Sequence, residues 1–259
     1  MSLKTRRDQI CEAIARRGEC SIEELVEQFG VSGMTVRRDL QSLAALGKVI
    51  RTHGGAAMAE RISFEFEFLN RVREHQAAKQ AIAAAAAAQV KDGESVLLDS
   101  GTTTLELAKR LREKTRLTVV TTSLPIAAQL QYERHIEVLL LGGYVRPSSP
   151  DLAGALTEMN LESLRADVAF IGTRAVDRQG SVYQDSPEVA RMLTKMAASA
   201  GRVFVVADGS KLDQTALWRV GRLQAWAGLI TDAAADRSVL ASLKRAGVRV
   251  MTSRKDIVP

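Results

Sequence analysis

The stretch "LLDSGTTTLELAKRL", residues 97–111, joins an apolar run, a glycine with three threonines, and a segment of helical periodicity. It predicts a strand, a tight loop and an amphipathic helix in direct succession. The first turn of such a helix leaves backbone N–H groups without helical partners, and the helix dipole favours negative charge beside them. Gly101 allows close backbone approach to an anion, and further donors come from the hydroxyls of Ser100, Thr102 and Thr103.

Two interpretations of this loop stay open on its own sequence. It has neither the GxxxxGK[ST] pattern of a nucleotide P-loop nor the GxGxxG pattern of a dinucleotide loop. A small phosphate ester therefore fits the loop better than ATP or NAD. A threonine-rich helix start is also common as a simple N-terminal cap that binds no ligand.

Seven apolar, β-branched runs alternate with helical patterns from about residue 76 onward. Strands separated by helices of ten or more residues indicate an α/β fold with a mostly parallel sheet. The segment "QAIAAAAAAQV" before the first run predicts a packed helix, since alanine has the best helix propensity. The seven runs span residues 95–99, 117–122, 136–141, 167–172, 202–208, 227–231 and 248–252.

Polar residues follow several of these runs. In open α/β sheets, ligands bind beyond the carboxyl ends of the strands. A lysine there can clamp a phosphate or hydroxyl, although a solvated loop lysine is the alternative for Lys211. Gly142 and Gly143 fit a plain turn equally well. The candidate ligand residues at strand ends are Asp99, Thr122, Ser123, Gly142, Asp208 and Lys211.

The first sixty residues have a different pattern, that of three short helices with sharp ends. The second and third helices are joined by a turn of three to four residues that contains glycine, which is typical of a helix-turn-helix. The starts and stops are residues that favour those positions, since serine caps helix starts and glycine ends helices. They are Gly18, Ser21, Gly30, Ser32 and Gly47.

The third helix and the segment after it predict a DNA-binding surface. A recognition helix presents the side chains near its N-terminus to base edges, and "KVIRTHGGAAM" (48–58) then predicts a hairpin wing. Residues 31–55 carry four Lys or Arg and one Asp, a net charge of +3. A three-helix protein-binding domain remains the alternative. The predicted DNA-contacting residues are Ser32, Thr35, Arg37, Arg38, Arg51, His53 and Gly54.

These motifs resemble a known family. The segment "SIEELVEQFGVSGMTVRRDLQSLAALGKVIRTHGGAA" (21–57) is similar to the winged helix-turn-helix of the DeoR family of bacterial transcriptional regulators. The second half resembles that family's sensor domain in "DSGTTT", "ADGSK", "LITD" and "LGG" followed by Arg146 and Pro147.

The resemblance implies a sensor domain similar in fold to ribose-5-phosphate isomerase, which binds phosphorylated sugars or related intermediates. Residues 100–103 would hold the phosphate, and the strand-end residues named above would line the pocket. It further implies a repressor of a carbohydrate-metabolism operon that binds double-stranded operator DNA. Because operators repeat their half-sites, we expect a homodimer or homotetramer.

The expected domain organisation follows from the same patterns. We predict a winged helix-turn-helix domain over 1–57, a connector over 58–75, and an α/β effector-sensing domain over 76–259. The connector contains alternating Phe64, Phe66 and Phe68. This alternation predicts a strand or extended segment with one face on a core.

The sequence favours sensing over catalysis. An aldose–ketose isomerase needs a positioned carboxylate base. Where such isomerases carry an acid-rich stretch, this chain has Gly172, Thr173 and Arg174, and one carboxylate at Asp177. We therefore expect no enzyme activity. An isomerase-like enzyme with an accessory domain and a DNA-binding architectural protein without a ligand are the two alternatives.

One residue departs from the family pattern. Many family members place a lysine on the helix after "DSPE", where this sequence has Leu193. Arg191 or Lys195 are candidates to replace that lysine. The departure leaves the identity of the effector open.

Composition limits the remaining kinds of partner, metal site and cellular location. A net charge of +6 and a pI near 9.5 permit a polyanionic partner. Cys11 and Cys20 are too few for a disulfide framework or a zinc site, so we expect both to be small core residues. The three histidines are scattered, so we expect no metal and no cofactor. No leader or membrane-spanning run is visible, and we expect a soluble, cytoplasmic protein.

Overall fold

A computed structural model describes residues 3–58, 68–146 and 149–253. The chain divides into two compact units, residues 1–70 with 147–149 and residues 71–146 with 150–259. Each unit has its own hydrophobic core. Within the described residues, no helix is long and apolar enough to cross a membrane.

The first unit contains three helices: α1 (Leu3–Arg17), α2 (Ile22–Phe29) and α3 (Gly33–Ala45). The predicted stops are confirmed, because Gly18, Gly30 and Gly47 have left-handed φ angles of 81°, 62° and 66°. The predicted cap at Ser21 is confirmed as well, and together with Glu24 it forms a capping box. The Ser21 hydroxyl accepts the Glu24 N–H at 3.1 Å, and the Glu24 carboxylate accepts the Ser21 N–H at 2.7 Å. Local sequence signals therefore set these helix ends.

A small antiparallel sheet completes this unit, in the order β1-β3-β2. Its strands are β1 (Glu19–Ser21), β2 (Val49–Arg51) and β3 (Gly55–Met58). The β2–β3 hairpin confirms the predicted wing. Strand β1 was not predicted, since three residues are too few for a periodic pattern and its pairing partner in β3 is distant in sequence. Cys11 and Cys20 are buried and free, as expected, and burial raises the pKa of both thiols.

A seven-stranded, fully parallel sheet forms the centre of the second unit, which confirms the predicted α/β class. All seven predicted runs are its strands. The strand order is β15-β14-β12-β9-β4-β5-β6. These are β4 (Ser95–Leu98), β5 (Leu117–Thr121), β6 (Ile136–Leu140), β9 (Ala166–Ile171), β12 (Ala200–Val206), β14 (Gly228–Thr231) and β15 (Val250–Thr252).

Six helices of the second unit have described bounds. The alanine-rich segment forms the first of them, as predicted, and its buried Ile82, Ala83 and Ala86 let it pack closely against the next helix. The helices are α4 (Gln76–Ala87), α5 (Thr102–Leu111), α6 (Leu124–Leu130), α7 (Ala155–Glu162), α8 (Pro187–Ala198) and α9 (Arg237–Arg245).

Two small antiparallel additions were not predicted. One is the hairpin of β7 (Tyr144–Val145) and β8 (Leu152–Ala153). The other is a sheet of β10 (Ala175–Val176), β11 (Ser181–Gln184) and β13 (Trp218–Arg222). These strands are two to five residues long, so their sequences carry too little periodicity to separate them from loops.

The order of the parallel sheet reverses between its two central strands, β4 and β9. Leu98 lies opposite Phe170 at the carboxyl ends of this pair. The chain builds β5 and β6 on one side of β4, and β12, β14 and β15 on the other side of β9. Connections from adjacent strands thus leave in opposite directions and open a crevice there, which is where such sheets bind ligands.

The predicted connector over 58–75 is described only in part. Phe64 and Phe66 lie outside the described residues. Residues 68–73 are helical, with Phe68 buried, so the prediction of an extended segment was wrong for this part. The alternation of phenylalanines ends at Phe68, and the apolar residue Val72 follows it at helical spacing.

The wing offers a test of its two adjacent glycines. A Cβ at Gly55 would lie 2.0 Å from the carbonyl oxygen of Cys20, whereas a Cβ at Gly54 would meet no atom of the described residues within 4 Å. We expect Gly55→Ala to lower the unfolding free energy of the first unit by about 1–3 kcal/mol, because the β1–β3 pairing must shift. The matched variant Gly54→Ala should change it by less than about 0.5 kcal/mol. Urea unfolding followed by circular dichroism measures both, and equal effects would contradict the pairing.

Candidate functional site

Helix α3 presents a basic face to solvent. Arg37 and Arg38 are exposed, whereas Val36 is buried in the core. The start of the helix is held by two hydroxyl side chains: Ser32 Oγ lies 2.9 Å from Thr35 Oγ1 and accepts the Thr35 N–H at 3.3 Å. These four polar residues therefore lie along the first turns of one exposed helix.

Asp39 anchors this helix, and sequence reasoning missed it. Its carboxylate is 1% exposed and accepts hydrogen bonds from Arg6 Nε at 2.7 Å and Arg7 Nε at 2.9 Å. Burial raises the pKa of Asp39, but the two arginines outweigh burial and hold that pKa below its usual value. The ion pairs fix α3 against α1. The signal was helical spacing, since Val36 and Leu43 put Asp39 on the buried face.

The wing carries the other predicted DNA-contacting residues. Arg51, His53 and Gly54 are exposed, and Lys48 is half-buried at the base of the hairpin. The carbonyl of Gly54 accepts the Ile22 N–H at 2.8 Å, which ties the turn to the start of α2. All seven predicted residues thus lie in the first unit, on α3, its cap and the wing.

In the second unit, Asp99 lies at the switch point between β4 and β9. Its carboxylate is buried and accepts hydrogen bonds from the Gly101 N–H at 2.9 Å, the Thr104 hydroxyl at 2.7 Å and the Gly172 N–H at 2.6 Å. Burial raises the pKa of Asp99, and these bonds offset only part of that effect. A Cβ at Gly101 or Gly172 would approach the carboxylate to 3.0 or 3.2 Å. Both glycines therefore make room for it.

Helix α5 begins directly after this carboxylate. Its N-cap is Gly101, which has no side chain to accept the N–H groups of the first turn. Thr102 is half-buried and Thr103 is buried at that turn. The positive end of the helix dipole therefore lies at the crevice without a side-chain cap. Side chains cap the starts of α6, α8 and α9, namely Ser123, Ser186 and Asp236, whereas α4 and α7 begin without a side-chain cap, as α5 does.

A pocket opens at the carboxyl end of β4. The structure brings Asp99, Ser100 and Thr122 together there with two residues for which sequence reasoning had no role, Arg146 and Asp151. Arg146 donates from Nε and Nη2 to the two carboxylate oxygens of Asp151, both at 2.7 Å. The Ser100 hydroxyl donates to the same carboxylate. The one available signal was the arginine that follows the "LGG" segment.

The opposite wall of the pocket is largely apolar and comes from α8. Leu193, at the position of the expected lysine, is one of its residues, with Val189, Met192 and Met196. The two suggested replacements pair with acids of α7 instead. Arg191 donates to Glu158 at 2.7 Å, and Lys195 donates to Glu162. Neither residue lines this pocket, so α8 presents Glu188 and apolar side chains to it.

Two more predicted residues, Ser123 and Gly142, lie close by but are engaged in structure. Ser123 is buried and its hydroxyl caps α6 by accepting the Ile126 N–H at 3.3 Å. The Gly142 N–H donates to Asn160 at 3.2 Å, and the Gly142 carbonyl accepts from the Thr157 hydroxyl at 2.6 Å. Their polar groups thus hold the ends of β5 and β6 to the helices beyond them.

Asp208 and Lys211 lie after β12, at the same edge of the sheet, but they do not line the pocket at the end of β4 that contains Arg146. Two strand spacings, about 10 Å, separate β12 from β4. Asp208 is buried and accepts the Ser210 N–H at 3.0 Å. Sequence reasoning missed a further charged residue, Lys79, which is buried and donates to the carbonyls of Arg71 and Glu74. Burial lowers the pKa of Lys79, and the negative charge of Asp208 offsets part of this effect.

Asp177, the carboxylate left from the isomerase comparison, stabilises a turn. Its oxygens accept hydrogen bonds from the N–H groups of Gln179 and Ser181, at 2.9 and 2.8 Å, and from the Tyr183 hydroxyl at 2.9 Å. It therefore organises the β10–β11 hairpin. Over the described ranges, no group of three or more His, Cys, Asp or Glu side chains is arranged to hold a metal ion.

The Asp39 ion pairs give a pH-dependent test. The pKa of Asp39 is lower in the folded chain, so its stabilisation is present above the unfolded pKa of about 3.9 and is lost as the pH falls through the folded pKa. We expect Asp39→Asn to cost about 1–3 kcal/mol of unfolding free energy at pH 7 and progressively less below pH 4. Urea unfolding at several pH values measures this. Asp8→Asn, at an exposed position of α1, is the control, and a pH-independent loss would contradict the ion pairs.

Comparison with known proteins identifies the family. A model of the DeoR C-terminal sensor domain matches residues 74–233, and a model of the DeoR-like helix-turn-helix domain matches residues 6–61. A ribose 5-phosphate isomerase A of Methanocaldococcus jannaschii is weakly similar in structure, with a TM-score of 0.39 and 19% identity over 52% of this chain and 53% of that chain. A score this low carries no functional argument.

Curated relatives match along nearly the whole chain. The HTH-type transcriptional regulator GlpR of Haloferax volcanii is 32% identical over 95% of this chain and 96% of its own. The glycerol-3-phosphate regulon repressor of Escherichia coli K12 is 30% identical over 93% and 95%, and the lactose phosphotransferase system repressor of Lactococcus lactis is 31% identical over 83% and 85%. The chain therefore belongs to the DeoR family of DNA-binding transcriptional regulators, with a helix-turn-helix domain followed by a DeoR sensor domain.

Proposed function

We propose that this regulator represses a carbohydrate-metabolism operon and leaves its operator when a phosphorylated sugar binds the second unit. The observation that carries the proposal is the helix α5, whose uncapped start faces the switch-point crevice of a sensor domain. Anions bind well at such helix starts. The relatives named as repressors of a glycerol-3-phosphate regulon and a lactose phosphotransferase system support the same class of effector.

The DNA contacts would divide between base reading and positioning. Arg37 and Arg38, exposed near the start of α3, suit guanine edges or phosphates in the major groove. Thr35 and Ser32 lie at the tip of that helix, where backbone phosphates are within reach. Arg51, His53 and Gly54 on the wing suit the DNA backbone or minor groove. The separation predicts that α3 carries sequence preference and the wing mainly affinity.

An oligomer would present two such units to repeated half-sites. The second unit supports this proposal, because large apolar side chains are exposed around its edge strand β6, on β7 and on α7. Their exposed fractions range from 37% to 82%, well above those of core residues. They are Leu139, Leu140, Tyr144, Val145, Leu156 and Met159.

The effector site would use the loop and the neighbouring strand ends. Ser100, Gly101, Thr102 and Thr103 would hold the phosphate at the start of α5. The sugar would extend along the carboxyl edge of the sheet, past Asp99, Thr122, Ser123 and Gly142 toward Asp208 and Lys211. The two-strand separation of Lys211 from β4 suits the far end of a ligand of several carbon atoms.

Sensing fits this site better than isomerisation. The Asp177 carboxylate is occupied by three hydrogen bonds within its hairpin, and the buried Asp99 carboxylate is occupied by three others. A proton-transferring base must be directed at the substrate, whereas both of these carboxylates are directed at donor groups of the protein. Regulation instead requires that the effector bind the DNA-incompetent state more tightly than the DNA-competent state. About a 10⁴-fold difference between these two affinities moves the ratio of the two states from 1:99 to 99:1.

Arg37 tests the DNA half of the proposal. An operator duplex is first selected from a random DNA library with the wild-type chain. Loss of a bidentate base contact costs about 1–3 kcal/mol, so Arg37→Ala should weaken operator binding roughly 10- to 100-fold. Arg16→Ala, an exposed arginine on α1, removes the same charge and should change affinity less than about threefold. Fluorescence anisotropy of labelled operator measures both, and equal losses would show that α3 is not the recognition helix.

Thr102 and Lys211 test the sensor half. A thermal-shift screen of sugar phosphates, with inorganic phosphate alongside, identifies compounds that raise the melting temperature. Thr102→Val and Lys211→Met should abolish operator release by such a compound and keep operator affinity within about threefold of wild type. Lys91→Met, at an exposed position, is the control for charge. Full release in both sensor variants would refute the pocket.

A further inference from the structure

The pocket at β4 has a charge balance that conflicts with anion binding. Three carboxylates line it, from Asp99, Asp151 and Glu188, against one guanidinium from Arg146. A phosphate ester adds a charge of about −1.5 to −2 at pH 7. Buried like charges repel strongly because little solvent screens them. An anion can therefore occupy this pocket only after a carboxylate has moved out of its way.

Asp99 cannot be the carboxylate that moves. Its three donors are the N–H groups of Gly101 and Gly172 and the hydroxyl of Thr104, which belong to the ends of β4 and β9 and the first turn of α5. Moving it would leave the N–H groups of Gly101 and Gly172 without their acceptor, which is costly. Glu188 is exposed on α8 and can turn into solvent.

Asp151 is held in a different way. Its carboxylate is bound by side chains, Arg146 and Ser100, and it is only 4% exposed. Its backbone is fixed separately, by the bridge to Ser123 and by its carbonyl, which accepts the Arg146 N–H at 3.0 Å. A side-chain rotation can thus withdraw the carboxylate while the backbone stays paired.

The guanidinium that Asp151 occupies is suited to phosphate. The planar fork of arginine binds a carboxylate and a phosphate with the same two parallel hydrogen bonds. Ser100 precedes Gly101 at the start of α5, so its hydroxyl lies beside the dipole end that favours anions. The Asp151 carboxylate therefore engages the donors that an incoming phosphate needs.

We propose that Arg146 and Ser100 form an anion subsite, that Asp151 fills it as an internal competitor in the ligand-free chain, and that the effector's phosphate displaces the Asp151 carboxylate. The assignment rests on the proposed function and deepens it. Arg146 becomes a phosphate-binding residue, and Asp151 sets how much effector is needed. Neutral sugars lack the charge to compete for Arg146, so the exchange selects phosphorylated ones.

The test uses inorganic phosphate as the probe and the full-length chain, by isothermal titration calorimetry. Asp151→Asn keeps the size of the side chain and removes its charge, so it should bind phosphate at least tenfold more tightly than wild type. Arg146→Gln should bind phosphate at least tenfold more weakly. The double variant, Asp151→Asn with Arg146→Gln, should bind phosphate no more tightly than Arg146→Gln, because removing the Asp151 charge then frees no guanidinium for phosphate.

A matched control exists on the surface of the same unit. Asp213 makes the same two-pronged pair, with Arg178 at 2.8 and 2.7 Å, but both side chains are more than 40% exposed. Asp213→Asn therefore changes the net charge equally and should leave phosphate affinity within twofold of wild type. If Asp151→Asn fails to fold, Asp151→Ser replaces it, and Arg146→Gln tests the subsite by itself.

The outcomes separate this inference from the proposed function. Phosphate affinity that is unchanged or lower in the Asp151 variant, or unchanged in Arg146→Gln, overturns the inference. So does a gain in the Asp151 variant that persists without Arg146, and so does an absence of phosphate binding in both wild type and Asp151→Asn. The proposed function is judged by a different readout, operator release by a sugar phosphate. If a sugar phosphate releases the wild-type chain from its operator but Asp151→Asn binds phosphate no more tightly than wild type, only the role of Asp151 as a competitor is overturned.

Discussion

The buried carboxylate of Asp99 is the constraint on which the sensor unit depends. It lies where the strand order of the sheet reverses and accepts hydrogen bonds from the ends of two strands and from the first turn of α5. Without these donors, burying a carboxylate would be far too costly. The bonds therefore hold the loop closed on β9 and keep the start of α5 directed at the crevice. Glycine at 101 and 172 leaves room for the carboxylate, since a Cβ there would approach it to 3.0 or 3.2 Å.

The DNA-binding unit is also organised around a buried carboxylate. Asp39 lies on the buried face of α3 and binds two arginines of α1. It fixes the orientation of a helix whose outer face carries Arg37 and Arg38. In both units a buried carboxylate with several donors fixes a helix of the candidate site, α3 in the first unit and the start of α5 in the second. A rigid inner contact thus supports an outer face that can change partners.

Local sequence patterns predicted those features of the fold that depend on residues close together in the chain. The helix ends at Gly18, Gly30 and Gly47, the capping box at Ser21 and the seven strands of the sheet are all present, because propensity, capping and periodicity act over a few residues. The same reasoning missed the two-residue strands and the pairs Arg146–Asp151 and Asp39–Arg6. It also gave the wrong conformation for residues 68–73. These features depend on partners distant in the fold, which short-range periodicity does not report.

The sequence by itself determined the class of this protein: a winged helix-turn-helix followed by a parallel α/β unit with an anion-suited loop, since each of these has a local signature. Only the tertiary structure decided the strand order, and with it the neighbours of Asp99. It also decided that Arg146 meets Asp151 rather than open solvent, and that Lys211 lies two strands from the loop. The physical reason is that burial and ion pairing are set by three-dimensional neighbours, which one sequence does not specify.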